Sequence, residues 1–345
     1  MTRFLNPGPL MTALLKRAGS LDPQVAAAGL RGLAKALEVP LNQGVMAGDI
    51  WSDLFTVEKF QPGVPVEYPI DLLVPGTELD YSAFAIPAQG RLPEKTVEGD
   101  YTVVNVFDVG ASIDFPLRYA EDARWPVLGR VLEILEGMFV RKYNTDAWRL
   151  MISAAYYRFL NVFDNLAPPG FFSKRLVELG KNIMRRFAGG NSTSLNRGKL
   201  KRLYVSPESL GDIRGWSVYD GRQSVDPWTM RDIHISDDLD AINIFGVEVR
   251  SLDELGIGQE FQKYYTDVLG ASMPTYTRNN ASETKLELAI GVDTSRPGSF
   301  LRPEVKPIEL FEDPTYHRQR RASFYGWSRG GWFLPDNRRV LALSI

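Results

Sequence analysis

Residues Val57 to Leu160 constrain this chain more than any other stretch, because two extended runs separated by a long excursion lead straight into a long helix with an apolar stripe. The runs are Val57-Glu58-Lys59-Phe60 and Val103-Val104-Asn105-Val106-Phe107, with more than forty residues between them. Pro62, Pro65, Pro69, Pro75, Pro87 and Pro93 interrupt that interval, whereas hairpin loops usually close in about two to five residues. An excursion of this length has to lie on something other than its own core, and a neighbouring molecule is the simplest support. The feature points to assembly before it points to chemistry.

The totals narrow the chemistry further. With 345 residues, 44% of them apolar, the chain can hold two or three domains or one body with large excursions. Its 40 Lys and Arg nearly balance 42 Asp and Glu, so no global basic field draws it onto nucleic acid or an anionic membrane. The absence of cysteine excludes disulfides, thiol nucleophiles and thiolate metal sites. Only His234 and His317 remain for imidazole chemistry, far apart in sequence, which weighs against histidine acid–base catalysis and metal hydrolysis and predicts no cofactor. Met1 to Leu10 lacks the apolar core of a secretion signal, and no segment offers eighteen apolar residues in a row. The expectation is a cytoplasmic product without membrane contact.

Periodicity and caps give the elements. Leu10, Leu14, Leu15, Val25, Leu30, Leu33 and Leu37 form an amphipathic pattern bracketed by Pro7, Pro9 and Pro40, and Asp22-Pro23 reads as a helix start. From Trp125, Leu128, Val131, Leu132, Leu135, Met138 and Phe139 recur at three- and four-residue steps, with Trp148, Ile152, Ala155, Tyr156 and Phe159 as a second set that continues the first. Gly129 and Gly137 inside this helix predict tight packing against another segment. A helix follows from about Ser173 to Phe187, then a strand over Leu200 to Val205 running directly into a helix start at Ser206-Pro207. Val247 to Arg250 and Leu286 to Val292 read as strands, and the chain ends in aromatic, Gly-broken strand material around Phe324 to Trp327 and Arg339 to Leu343. This is α+β material without a βαβ rhythm or internal repeat.

Few residues offer catalytic chemistry. Gly326-Trp327-Ser328-Arg329-Gly330 matches the nucleophile-elbow pattern of serine hydrolases. An elbow, however, requires a strand, a strained turn and a helix, followed by an acid and a histidine, and no histidine follows Ser328. A glycine turn explains the match better. Asp237, Asp238 and Asp240 lie in an unframed polar stretch and read as a solvated loop. Arg185-Arg186, Lys199-Lys201-Arg202, Arg318-Arg320-Arg321 and Arg338-Arg339 could each meet phosphate, but in a near-neutral chain they read first as strand faces or ion pairs.

In order, the elements are an N-terminal arm, an extended loop, a long helix, a mixed domain entered through Leu203-Tyr204-Val205-Ser206-Pro207-Glu208, and closing strands with Gly326, Gly330 and Asn337-Arg338-Arg339-Val340. That order resembles the major capsid proteins of tailed bacteriophages, the Hong Kong 97-like capsid fold. The resemblance implies an N-terminal arm over 1–56, an E-loop over 57–117 lying across the adjacent subunit, a peripheral domain over 118–165 and 311–345 with a long spine helix, and a mainly axial domain over 166–310. It implies a non-enzymatic subunit that self-assembles into pentamers and hexamers of an icosahedral head enclosing double-stranded DNA, located in the virion after assembly in the host cytoplasm. Because only about fifty residues precede the loop, the resemblance suggests a separate scaffold protein or none; portal and decoration proteins are the further candidate partners. The candidate contacts with neighbouring subunits are Arg91, Glu94, Lys95 and Glu98 in the presumed loop and Arg338 and Arg339 near the end. An encapsulin-like compartment of the same fold is the nearest alternative; a hydrolase using Ser328 is the alternative of another class.

Overall fold

The computed structural model describes residues 9–20, 22–47, 51–71, 99–122, 125–158, 161–164, 172–187, 198–214, 233–235, 241–271, 287–295, 298–313 and 319–345. Helices α1 (Pro9–Ala18) and α2 (Pro23–Ala47) precede strands β1 (Thr56–Lys59), β2 (Glu67–Asp71), β3 (Gly99–Val103) and β4 (Phe107–Pro116). A short helix α3 (Arg118–Glu121) leads to the long α4 (Trp125–Tyr157), strand β5 (Asn161–Phe163) and helix α5 (Lys174–Phe187). Next come β6 (Arg202–Val205), α6 (Pro207–Arg214), β7 (Ile233–Ile235), β8 (Ala241–Ile244), β9 (Val247–Ser251) and α7 (Glu260–Lys263), which continues as a π-helical turn over Tyr264–Val268. Strands β10 (Leu288–Val292), β11 (Leu301–Glu312), β12 (Arg321–Gly330) and β13 (Val340–Ser344) complete the α+β set. The chain forms two compact units: Met1–Tyr68, Val103–Ala147 and Phe300–Phe333 in the first, Pro69–Thr102, Trp148–Ser299 and Leu334–Ile345 in the second.

The first unit is built on a four-stranded sheet of order β1-β11-β12-β4, with β1 parallel to β11 and the other pairs antiparallel. The ladder between β12 and β4 is unbroken from Phe107↔Gly330 to Arg321↔Pro116. Residues 107–116, the last part of the stretch read as an excursion, are therefore sheet. Helix α2 packs along β11 through the buried stripe Leu30, Leu33, Leu37, Leu41 and Val45. Its start is the predicted one, since Asp22 Oδ1 accepts the Gln24 N–H at 3.0 Å. Its end is not: Pro40 lies inside the helix. A proline there removes one helical hydrogen bond and crowds the preceding turn, but the buried stripe continues through Leu41 and Val45 and holds the helix past it.

Helix α4 is one continuous element of 33 residues, about 50 Å long at ~1.5 Å per residue. Leu128, Val131, Leu132, Leu135 and Phe139 are buried as predicted, while Met138 sits off that line and is 44% exposed. The expected reason for its glycines fails at Gly137, where an added Cβ would meet nothing within 4 Å. Close approach occurs elsewhere: a Cβ on Gly326 of β12 would lie 3.1 Å from the Phe139 ring, so the first glycine of the elbow-like motif makes room for α4.

The second unit holds a seven-stranded sheet of order β5-β13-β10-β6-β9-β8-β7, in which β5/β13 and β6/β9 are parallel and the other pairs antiparallel. All residues of β10 and β13 are buried, as befits central strands. Helix α5 contributes Leu176, Val177 and Met184 to the core against Leu200, Leu203, Leu341 and Leu343. Ser173 caps α5, its Oγ accepting the Leu176 N–H at 3.1 Å. Ser206 caps α6 in the same way, accepting the Ser209 N–H at 3.1 Å, at the predicted strand-to-helix step. Sequence neighbours β12 and β13, read above together as closing strands, join different sheets and do not pair.

Candidate assembly surface

Ser328 is the third residue from the end of β12, pairs with Val109 of β4 and is 4% exposed. Its Oγ lies 2.5 Å from the Tyr143 hydroxyl of α4. Ser328 thus stands in a regular ladder position, not in the strained strand-to-helix turn that a nucleophile elbow requires. His234 lies in β7 of the second unit, and His317 is outside the described residues. No cluster of three metal-ligating side chains occurs among the described residues, and no helix among them is long and apolar enough to cross a membrane.

Beside Ser328, Arg302 is almost fully buried, with its guanidinium over the rings of Tyr143 at 4.1 Å, Trp51 at 4.6 Å and Trp332 at 5.3 Å. Burial lowers the Arg302 pKa and raises that of the Tyr143 phenol, and Glu304 at 3.8 Å supplies a counter-charge. Such a caged cation ties α4 to the sheet and to both flanking segments.

The other face of the same sheet is different in kind. Along β12, Ala322, Phe324, Gly326 and Ser328 are buried, whereas Arg321, Tyr325, Trp327 and Arg329 share the outer face. Phe311 of β11 stacks on Tyr325 with centroids 5.5 Å apart, and Tyr325 meets Trp327 edge-on at 6.5 Å. Trp327 covers Gly110 of β4 and remains 51% exposed, with Phe311 42% exposed. Ion pairs frame this aromatic row: Arg329 with Asp108 at 2.6 Å and 2.8 Å, Arg321 with Asp114 at 2.7 Å, and Arg31 with Glu312 at 2.8 Å. The hydrogen bond from Arg329 holds the Asp108 carboxyl below its ordinary pKa.

An edge of the sheet is open as well. A register shift between Lys306 and Glu309 turns the Ile308 backbone away from β12. Asn42 of α2 takes up both groups, its Nδ2 donating to Ile308 O at 2.8 Å and its Oδ1 accepting from Ile308 N at 3.1 Å. By strand alternation Leu310 and Glu312 present their backbone to the same side, in a groove of ≈ 630 Å³ lined by Arg31, Lys35, Glu38, Glu309 and Phe311. An exposed aromatic face beside a strand edge that has no strand partner among the described residues is the surface type that proteins hide by association.

Of the charged residues named from the sequence as interface candidates, only Arg338 and Arg339 lie among the described residues, and both belong to the second unit. Arg91, Glu94, Lys95 and Glu98 lie outside the described residues, as do Asp237, Asp238 and Asp240. Arg339 is corrected from interface to core: it is 3% exposed, and its Nη1 bonds Asp293 Oδ2 at 2.5 Å. Arg338 is half-buried and bonded to Asp336 at 2.8 Å. Desolvation alone would favour the protonated acid at Asp336, but hydrogen bonds and charge from Arg338, with the charge of Arg339, hold its pKa below the ordinary value. Sequence reasoning missed Phe311, Tyr325 and Trp327. The available signal was the alternation Arg321, Tyr325, Trp327, Arg329, which puts aromatics on a face already marked as solvent-facing by its charges.

A caged long helix against a four-stranded sheet, a second unit around a seven-stranded mixed sheet, and the two-stranded β2-β3 sheet inserted between β1 and β4 together define a Hong Kong 97-like capsid fold. Three solved structures share it: one from Gordonia phage Cozz (14% identity, 84% of each chain, TM-score 0.55), a chain of the mature capsid of bacteriophage PhiM1 (12%, 86% of each chain, 0.50), and a chain of the cyanophage Pam1 capsid (11%, 85% of this chain and 88% of that one, 0.51). No family model and no curated protein matches the sequence.

Proposed function

We propose that this chain is the major capsid protein of a tailed phage, assembling through pentamers and hexamers into an icosahedral head around double-stranded DNA. The observation that carries the reading is the fold likeness, which extends over 84% or more of this chain and of each of the three phage chains compared, two of them from structures described as capsids. The exposed aromatic row and open strand edge of the first unit support it, because a shell subunit needs several modest interfaces. On this reading the chain is a structural component of the virion, assembled in the host cytoplasm with scaffold, portal and decoration proteins as candidate partners.

The 57–117 stretch is the inter-subunit strap of this proposal, and its working part is 60–106, because β1 and β4 at its two ends are held in the sheet. A small apolar cluster of Val66, Tyr68, Val104 and Leu301 forms the root of that strap, with Tyr68 stacked on Phe333 at 4.8 Å. On this proposal the spine is α4, residues 118–165 and 311–345 form the peripheral domain, 166–310 mainly the axial domain, and 1–56 the N-terminal arm. Deleting residues 77–95, which lie outside the described residues, is expected to leave a folded monomer that no longer forms stable particles; equally stable particles from the deletion would refute the strap.

The direct test is to purify the chain, alone and with any scaffold encoded beside it, and examine it by sedimentation and negative-stain microscopy. Closed particles holding DNA are expected. A monomer under every condition, scaffold included, would overturn the reading, and particles filled with a copurified enzyme would replace it with an encapsulin-like compartment.

A further inference from the structure

The second unit carries a small groove that the shell reading does not use. It lies between α5, the segment entering β6 and the turn joining β8 to β9, with a volume of ≈ 300 Å³, and its lining includes Lys181, Asn182, Arg185, Lys199, Lys201 and Gly246. Among the described residues, four cations line it and no carboxylate does, in a chain whose formal net charge is −2. Lys181 Nζ donates to Phe245 O at 2.7 Å, which fixes the turn against α5. Phe245 and Gly246 both have positive φ, 52° and 75°, and an added Cβ on Gly246 would meet nothing within 4 Å, so the turn leaves that side of the groove open. Nearby Arg202 and Arg250 are both paired with Glu248. Arg185, Lys199 and Lys201, by contrast, are exposed and have no carboxylate within ion-pair distance among the described residues.

We propose that this groove binds phosphate groups of a nucleic-acid backbone, without reading sequence. Like charges brought together from two separate elements, α5 and the segment entering β6, repel one another, and the ligand that relieves this best is one with closely spaced anionic oxygens. The groove exposes cations and backbone, and its one large apolar side chain, Leu200, is buried at 4% exposure. It therefore offers no pocket for the aromatic or aliphatic anchor on which protein partners depend. A few cations per subunit give weak, salt-sensitive attachment. Repeated over a shell, such contacts would order the DNA through multivalency while each remained easy to release. That the DNA is an enclosed genome rests on the shell reading; the binding itself does not.

The test uses the unassembled full-length chain and a fluorescein-labelled mixed-sequence DNA duplex of about 30 base pairs, titrated from low to physiological salt, the range over which phosphate contacts weaken steeply. The variant Arg185→Gln/Lys199→Gln/Lys201→Gln is compared with Lys16→Gln/Arg17→Gln/Lys35→Gln, which makes the same charge change on the first unit. Wild type and the control are expected to bind alike. The groove variant is expected to lose roughly tenfold or more in affinity at low salt, with its log–log salt slope shallower by about 2 to 3, near 0.9 for each phosphate contact removed. Matching thermal melts establish that both variants fold. Equal affinity and slope for the groove variant overturn the proposal, as does a wild-type chain that prefers poly-glutamate to the duplex, which would assign the groove to an acidic protein segment. Failure here leaves the shell reading intact, and failure to form particles leaves this binding result intact.

Discussion

At the residue scale, the serine that most resembled a nucleophile proves to be part of a packing device. Tyr143 and Ser328 bond each other beneath the caged Arg302 guanidinium. Removing the Tyr143 hydroxyl takes this bond from the buried Ser328 Oγ at a cost of about 1–3 kcal/mol, removing the Ser328 hydroxyl leaves Tyr143 its contact with Arg302, and removing both costs less than the sum. Urea unfolding of Tyr143→Phe, Ser328→Ala and the double variant is expected to show that coupling; strictly additive losses would mean that the contact is not an energetic unit. A second residue-scale prediction concerns Asp336, whose folded pKa is depressed despite burial. The unfolded chain, with a carboxyl near the ordinary ~3.9, binds its proton first on acidification. The contribution of Asp336 is therefore present above about pH 4 and is lost as pH falls through the lower folded value. Asp336→Asn should be less stable than wild type at neutral pH, and the gap should narrow by about pH 3. A gap that stays constant with pH would remove the electrostatic account.

At the scale of elements, what was legible followed from local chemistry and what was hidden followed from tertiary compensation. The starts of α2 and α6, at Asp22 and Ser206, and the buried stripe of α4 could be read directly, because caps and periodicity act within a turn or two of chain. Strand β11 could not, since Pro303 and Pro307 argue against a strand. In the fold Pro303 sits opposite Glu58 of the short β1, and Pro307 falls in the register shift between Lys306 and Glu309, where a missing N–H is tolerated. Neither circumstance is visible in the sequence. Of the aromatic row, alternation along β12 could place Tyr325 and Trp327 on one face, but Phe311 joins them only when β11 and β12 pair. Gly137 gives the prediction at this scale. It lies in the interior of α4 on an exposed side with open space at its Cβ position, so Gly137→Ala should raise the stability of the unassembled subunit by roughly 0.5–1 kcal/mol. Thermal or urea unfolding checks it, and a destabilised variant would reveal a close neighbour to that face.

At the scale of the whole molecule, the division of labour between faces decides what the chain can do. The inner face of the first unit's sheet is sealed by α2 and α4, with Arg302 and Tyr143 at its centre, and its energetics concern folding. The outer face keeps Phe311, Tyr325 and Trp327 together, framed by ion pairs that are themselves exposed and individually worth little. Large aromatics at the centre of a polar rim are the arrangement in which a few side chains dominate association. Trp327→Glu is therefore expected to separate assembly from folding. The side chain is already half in solvent, so the subunit should lose no more than about 1 kcal/mol from uncovering Gly110 and breaking the contact with Tyr325, and its unfolding curve should stay cooperative. Burying a carboxylate in an apolar contact costs far more, so particles should be absent or greatly reduced in sedimentation. Particles as abundant and as stable as those of the wild type would show that the aromatic face looks outward from the shell, and the search for subunit contacts would move to the open edge of β11 at Leu310 and Glu312.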